Sequence, residues 1–147
     1  MPLMVVANFE RSLSELKGAS AKVSKSGYYP EPGTASVELR FSEGSRLRAD
    51  YWRIVKNGSA GLSSFDHGQQ YGLPAKIDAF YELEQDLQSK SVAEALLDTG
   101  TGDLLFRFEG DLEFRIFNFT GYEVWEIHFP NGTGEYSPYA RKCNPHM

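Results

Sequence analysis

Cysteine, histidine and long apolar runs are scarce in this chain, and each scarcity excludes a class of protein. The single cysteine, Cys143, rules out an internal disulfide framework and a four-cysteine zinc site. No apolar run approaches the roughly 20 residues that a membrane-spanning helix needs. The first residues lack a cationic segment ahead of a long apolar core, so no signal peptide is expected. The sequence therefore predicts a cytoplasmic protein that does not engage a membrane.

Motifs of the common catalytic and nucleotide-binding folds are also missing. The chain has no G-x-S-x-G, no P-loop and no G-x-G-x-x-G, and the Gly100-Thr-Gly102 segment indicates a hairpin loop rather than a phosphate cradle. A metal site would require His67 and His128 to meet across the chain with carboxylates, at no known ligand spacing. We expect no cofactor, no metal and no assigned catalytic residue. Whether the protein is an enzyme stays open, with a non-enzymatic role favoured.

Positive charge is in deficit, while aromatic residues are abundant. The 15 Lys and Arg residues against 20 Asp and Glu give a net charge of −5, with no basic stripe of the kind that nucleic acid requires. Nucleic acid is therefore not an expected partner, although a basic protein partner is compatible with this charge. Ten Phe, eight Tyr and two Trp make up 14% of the chain, a composition that suits half-buried strands.

Hydrophobic periodicity predicts two short helices and several alternating strands. Asn8 is a candidate N-cap for a helix over residues 9–17 that stops at Gly18, and Asp78 caps a second helix that runs to about Gln88. Residues 102–132 contain three alternating runs separated by Glu-Gly and Thr-Gly turns. This stretch predicts a three-stranded antiparallel meander. At 147 residues the chain is long enough for one domain.

The chain also resembles itself. Residues 39–52 and 106–118 share Arg-Phe, Glu-Gly and the following apolar alternation, and extending the match aligns 65–68 with 129–132. The predicted fold is therefore α+β, with two tandem repeats at about 1–75 and 76–147 in one domain spanning 1–147. Each repeat is expected to hold a short helix and a four-stranded antiparallel meander, the fourth strand of the first repeat covering 61–65. Pseudo-two-fold packing of the repeats completes the prediction.

The second-repeat hairpin gives a test of register. A three-residue loop at 109–111 would place Arg107 opposite Glu113, an opposite-charge pair worth about 0.2–1 kcal/mol. The equivalent register in the first repeat would oppose Arg40 and Arg48. We therefore expect Glu38 to reach Arg48, or a bulge to change the pairing.

The most polar cluster of candidate site residues surrounds Asp66 and His67. In a hydrolase, these two side chains would act with a nucleophile such as Ser64. Neighbouring residues of an extended strand point to opposite faces, so they could converge only in a turn. The alternative, which the residue types favour, is that Asp66 forms an Asx turn and His67 bonds to local backbone.

Aromatic side chains are the other candidates for a binding site. Trp52, Phe119 and Tyr122 are expected on the outer face or in turns, where exposed rings would form a partner surface. Alternatively, Trp52 would line a small-molecule pocket between the repeats together with three further aromatic residues: Tyr71, Trp125 and Tyr136. Packing between the repeats explains the same rings equally well. The set of candidate binding residues is Asp66, His67, Tyr71, Trp52, Tyr122, Trp125 and Tyr136.

Two stretches carry a resemblance to a known group of proteins. They are F-D-H…Y-G-L-P at 65–74 and N-F-x-G-Y-E-x-W-E-I at 118–127. They resemble a family of small, duplicated α+β bacterial proteins whose activity is unassigned, and the similarity covers about 37–136. In size and acidity such proteins are also similar to immunity proteins encoded beside toxins. The leading hypothesis is a non-enzymatic protein-interaction module of immunity type, with a toxin or a second copy as partner. The oligomeric state is not predicted.

Overall fold

The structure of the protein, a computed structural model, describes residues 3–30 and 33–138, with side chains from residue 6 onward in the first helix. The sequence predictions that concern Cys143 and the end of the second repeat lie outside these residues. Within the described ranges the chain is α+β, with two α-helices and ten strands. In chain order they are α1 Leu3–Ser14, β1 Ala21–Lys25, β2 Val37–Phe41, β3 Arg46–Ala49, β4 Trp52–Lys56, β5 Ser59–Ser63, α2 Ala79–Leu87, β6 Val92–Leu97, β7 Leu104–Phe108, β8 Leu112–Ile116, β9 Trp125–His128 and β10 Gly134–Tyr136.

The strands form two five-stranded antiparallel sheets with exchanged ends. One sheet has the order β1-β2-β3-β9-β10 and the other has the order β5-β4-β8-β7-β6. Each sheet therefore combines three strands from one half of the chain with a hairpin from the other half. The prediction of a four-stranded meander in each repeat is wrong, because the described part of each half has five strands and sends two of them to the opposite sheet.

The predicted meander over 102–132 is corrected for the same reason. Its first two runs pair as β7 and β8, but the third, β9, pairs with β3 of the first half. Without the exchange, β3 and β8 would each have one edge of unpaired backbone N–H and C=O groups. The hairpin from the other half supplies the hydrogen bonds that these groups need, through β9 on β3 and β4 on β8. Ala49 lies opposite Trp125 in one sheet, and Ile116 lies opposite Trp52 in the other. Periodicity identifies a strand's buried face, but it does not identify the neighbouring strand.

The inward faces of the two sheets enclose the core. Trp52, Trp125, Phe106 and Phe114 are among its largest fully buried side chains. The Phe106 ring stacks on Phe41 with 5.6 Å between centroids. Both indole N–H groups donate to backbone carbonyl oxygens at 2.8 Å, which offsets the cost of burying them. The aromatic content of the sequence is therefore largely core material.

The two helices close the open sides of the sandwich. Helix α2 packs on β1 and β5, while α1 packs on β6 and stacks its Phe9 ring on Trp125. The predicted cap of α2 is confirmed, since Asp78 accepts hydrogen bonds from the backbone N–H groups of Phe80 and Tyr81. The predicted cap of α1 is wrong, because the helix begins upstream at Leu3 and Asn8 lies inside it. Asparagine caps a helix only where the chain enters it, and sequence alone did not locate that point.

Register agrees with prediction in the hairpins. Arg107 lies opposite Glu113 across the three-residue loop between β7 and β8, with 3.5 Å between Nε and Oε2. In the first half a longer turn shifts the pairing, so Glu38 lies directly opposite Arg48. The downstream match between the halves is wrong in detail: Phe65 follows β5, whereas Phe129 lies in the turn between β9 and β10. The fourth strand of the first half is β4, not residues 61–65.

Candidate functional site

Asp66 and His67 lie in the turn after β5 and bond to different parts of it. Asp66 accepts a hydrogen bond from the Ser63 backbone N–H at 2.8 Å and another from the Tyr71 hydroxyl at 2.9 Å. The second bond favours the neutral phenol and raises the pKa of Tyr71. His67 accepts from the backbone N–H of Ala79 through Nδ1 at 3.1 Å. Asp66 thus holds its own turn, while His67 satisfies a donor at the start of α2.

The hydrolase alternative needs a nucleophile beside His67. Ser64 is fully buried, and its Oγ accepts a hydrogen bond from the Trp52 backbone N–H at 3.2 Å. Among the described residues no serine is hydrogen-bonded to His67, and no group of three or more His, Cys, Asp or Glu residues could hold a metal ion. His128 bonds instead to Glu126 on the outer face of its sheet. The polar residues of the Asp66 turn are therefore explained by local structure.

The predicted aromatic candidates separate into buried and exposed groups. Trp52 is only 1% exposed, so its expected place on an outer face or in a turn is wrong, and Trp125 is wholly buried. Tyr71 and Tyr122 are strongly exposed in loops, and Tyr136 is exposed on the outer face of its sheet, with its ring edge-on to His128. The predicted four-ring pocket is not assembled as such: of those residues, Trp52 alone lines the cleft described next.

A cleft of about 540 Å³ lies between the two halves of the chain, at the point where β4 and β8 run side by side. Its first wall comes from residues 51–53 and 63–65, and its second from Thr101, Asp103 and residues 117–119. The exchange of hairpins creates this site, because β4 carries first-half residues into the second-half sheet.

Three of the five aromatic residues that line the cleft pack against one another. Tyr51 is buried, and the Phe65 ring stacks on it with centroids 5.7 Å apart. Phe119 meets Tyr51 edge-on at 4.4 Å between centroids. Yet Phe65 is 41% exposed and Phe119 is 55% exposed. Tyr51 and Phe65 were not among the predicted binding residues, because the sequence assigned both to strands and gave no sign that the two segments meet.

The second wall is held by Asn118. Its side-chain amide donates to the Thr101 carbonyl oxygen at 2.9 Å and to the Pro138 carbonyl oxygen at 3.0 Å, while its backbone N–H donates to Asp103 at 2.7 Å. Gly102 allows this approach, because a Cβ there would lie 2.6 Å from the Asn118 amide nitrogen. The wall beside Phe119 is therefore anchored at three points.

A second polar cluster lies on the other sheet and is paired internally. Asp50 is 1% exposed and accepts hydrogen bonds from Ser36 at 2.7 Å and from Arg48 at 2.9 Å. Burial raises the pKa of Asp50, although the bonds from Ser36 and the Arg48 charge oppose that shift. Arg48 also reaches Glu126, which joins β3 of the first half to β9 of the second. This cluster connects the halves and leaves little for a ligand.

Comparison of the chain with protein-family models, with curated proteins and with solved structures finds no match. Neither helix in the described residues has the length and apolarity to cross a membrane. The fold and the cleft place the protein in a structural class. It is an α+β sandwich with exchanged hairpins and a partly exposed aromatic cleft at the exchange point.

Proposed function

We propose that the protein is a non-enzymatic protein-interaction module whose contact surface is the aromatic cleft. The observation that carries this proposal is the cluster of Phe65 and Phe119, which remain half exposed on a buried Tyr51. Rings held this way are rigid and lose little side-chain entropy when a partner covers them. Such aromatic anchors dominate the energy of many protein interfaces.

The extent of the aromatic surface favours a protein over a small ligand. Beyond the cleft, Tyr71 continues from the Phe65 turn and Tyr122 continues from the Phe119 loop, exposed by 67% and 77% respectively. A pocket for a small molecule typically encloses about 70–90% of its ligand. Here the rings remain exposed at the mouth of an open cleft. A protein partner could cover the cleft as the buried centre of an interface and leave the outlying tyrosines at its wetter edge.

We also propose that the two halves of the chain arose as tandem repeats of one unit. In the residues that the structure describes, each half contributes one α-helix and five strands in the same order. Trp52 donates to Ala35 and Trp125 donates to Gly102, each acceptor lying two residues before the strand that follows it. A duplicated unit with exchanged hairpins would produce this arrangement. Expressed separately, the halves should then associate one to one on size-exclusion chromatography, and independently folded halves would contradict the hypothesis.

The proposed partner is a toxin that the protein covers, and a cytoplasmic location goes with it. The support is the resemblance in size and acidity stated above. Purified protein would be titrated against candidate toxins from neighbouring genes, with growth protection as the second readout. Absence of both binding and protection would remove the immunity-type form of the proposal. A second copy as partner would instead appear as a concentration-dependent dimer.

The cleft itself is tested by paired substitutions. Phe119→Ala should weaken partner binding at least tenfold, as hot-spot aromatics do, because truncation removes an exposed cleft ring that a partner would cover. Tyr136→Ala is the matched control, since this tyrosine is 45% exposed but lies outside the cleft. Equal losses from both variants, measured by biolayer interferometry, would place the interface elsewhere.

A small apolar molecule is the second candidate occupant. The cleft volume of about 540 Å³ falls within the range of about 300–1,000 Å³ that ligand pockets occupy. A fragment screen by NMR would find such a ligand through shifts of the Phe65 and Phe119 amides. If fragments bind there and protein partners do not compete with them, the small-molecule function replaces the first proposal.

A further inference from the structure

Among the described residues that line the cleft, Arg53 is the one cation. It lies on β4 and is half buried. Among the described residues no carboxylate lies within ion-pair distance of its guanidinium. Other strand arginines differ: Arg40, Arg48, Arg107 and Arg115 each pair with a carboxylate. Arg46, the remaining unpaired strand arginine, is solvent-exposed.

The position of Arg53 in the sheet makes its lack of a partner more notable. It lies directly opposite Arg115 on β8. Like charges at such positions are destabilising. Arg115 is balanced by Glu113, with 2.7 Å between Nη2 and Oε1, whereas Arg53 has Ser63 as its neighbour on the other side. Within the described part of the chain, no carboxylate of the sheet therefore balances the charge of Arg53.

Of the cleft-lining residues that the structure describes, Asp103 is the one carboxylate, and it stabilises the second wall. Its Oδ1 accepts the Asn118 backbone N–H at 2.7 Å, which helps to hold the second wall. It makes no ion pair with Arg53 within the described part of the chain. Arg53 therefore lines the same cleft as Phe65 and Phe119 without an ion pair among the described residues. Partial exclusion of water from such a cleft strengthens the attraction of a guanidinium for an anion.

We propose that Arg53 binds a carboxylate of the partner, next to the apolar side chain that enters the cleft. This inference rests on the proposed function of the cleft as a protein-interaction surface. The guanidinium fork matches a carboxylate with two parallel hydrogen bonds, while the rings cover the adjoining apolar group. The docking segment is therefore apolar and acidic. An apolar and basic segment is rejected, although the net charge of −5 alone would favour it.

The test uses three blocked hexapeptides that differ at one position: a central Trp-Glu pair, its Trp-Gln counterpart and its Trp-Lys counterpart. Binding to the full chain is followed by NMR shifts of the Phe65 and Phe119 amides. We expect the Trp-Glu peptide to bind about tenfold more tightly than Trp-Gln, as a charge-assisted hydrogen bond provides, and Trp-Lys to bind most weakly.

Two variants distinguish a direct contact between Arg53 and the peptide carboxylate from a general effect of positive charge. Arg53→Gln should make the Trp-Glu and Trp-Gln affinities equal. Arg115→Gln removes the same charge from the directly opposite position, outside the cleft lining, and should leave the preference intact. Loss of the preference for Trp-Glu in both variants would show that the overall positive charge of the sheet attracts the peptide. That result would overturn the proposed contact with Arg53.

The remaining outcomes distinguish this inference from the function beneath it. If none of the three peptides shifts the cleft amides, the protein-interaction surface itself is wrong. If all three bind equally, or if Arg53→Gln retains the preference for Trp-Glu, the surface stands and the carboxylate inference is overturned. If indole-3-propionate binds at the cleft and the Trp-Glu peptide does not, the acid belongs to a small molecule, and a protein segment as occupant is overturned.

Discussion

Arg48 and Arg53 lie on strands of the two sheets, near the join between the halves. Arg48 lies over the Tyr28 ring, and Arg53 lines the cleft that holds Phe65 and Phe119. Arg48 bonds to both carboxylate oxygens of Asp50 at 2.9 Å, donates to the Glu123 carbonyl oxygen and lies 5.2 Å from the centre of the Tyr28 ring. Arg53 has no ion pair within the described residues and lies opposite another arginine. A charge that the fold uses is surrounded by partners. A charge left without an ion pair among the described residues, in a cleft with exposed rings, is the basis of the proposed binding surface.

The largest expected effect comes from removing the charge of Arg48. Arg48→Met leaves the buried Asp50 carboxylate without its cation, which should lower the free energy of unfolding by about 3 kcal/mol at neutral pH. Arg53→Met is the matched variant on the other sheet and should change stability by less than about 0.5 kcal/mol. Urea denaturation of both variants measures the difference. Equal destabilisation would break the contrast between the two arginines.

The stability difference between wild type and Arg48→Met should also depend on pH. The pKa of Asp50 is already raised above its ordinary value of 3.8 by burial, and loss of Arg48 raises it further. The folded state then binds a proton more tightly than the unfolded chain does. Stability from this group is present below about pH 4 and is lost as pH rises through the raised pKa.

Wild type and Arg48→Met should therefore be closest in stability near pH 4 and furthest apart at about pH 7. Urea midpoints taken across that interval measure the effect. Arg107→Met, which removes an arginine with a half-exposed side chain, is the control and should show a nearly constant difference from wild type. A constant difference for Arg48→Met as well would mean that Asp50 is not the group in question.

The smallest expected effect has the opposite sign. Arg53→Gln removes one member of the Arg53–Arg115 pair and should raise the free energy of unfolding by about 0.2–0.5 kcal/mol. The same variant should lose the acidic preference of the cleft, so stability and binding would change in opposite directions. Thermal unfolding measures the first effect. A loss of more than about 1 kcal/mol would show that Arg53 supports the sheet after all.

Local features of the fold were predictable because they depend on few neighbours. The cap at Asp78 follows from one side chain and the backbone N–H groups that follow it. The register of Arg107 against Glu113 follows from the length of one loop. The start of α1 and the downstream match between the halves were not predictable in this way. Both required knowledge of what the segment packs against.

The candidate site shows the same division. Asp66 and His67 were conspicuous in the sequence, yet their contacts are those of a turn and a helix start. Arg53 carried no signal in the sequence and Phe65 appeared only as part of a motif, yet both line the cleft. A cleft is a relation between segments distant in the chain, so residue type alone does not reveal it.

Residue order alone determines the alternation of apolar and polar faces, the tight turns and the cap of α2. It also provides the aromatic residues from which the core is built. Each of these follows from interactions within a few residues. The exchange of hairpins, the burial of both tryptophans and the isolation of Arg53 beside Arg115 arise when the two halves fold together. Hydrogen bonding between strands is almost indifferent to side-chain identity, so the choice of partner strand is made by global packing. The aromatic cleft exists because of that choice.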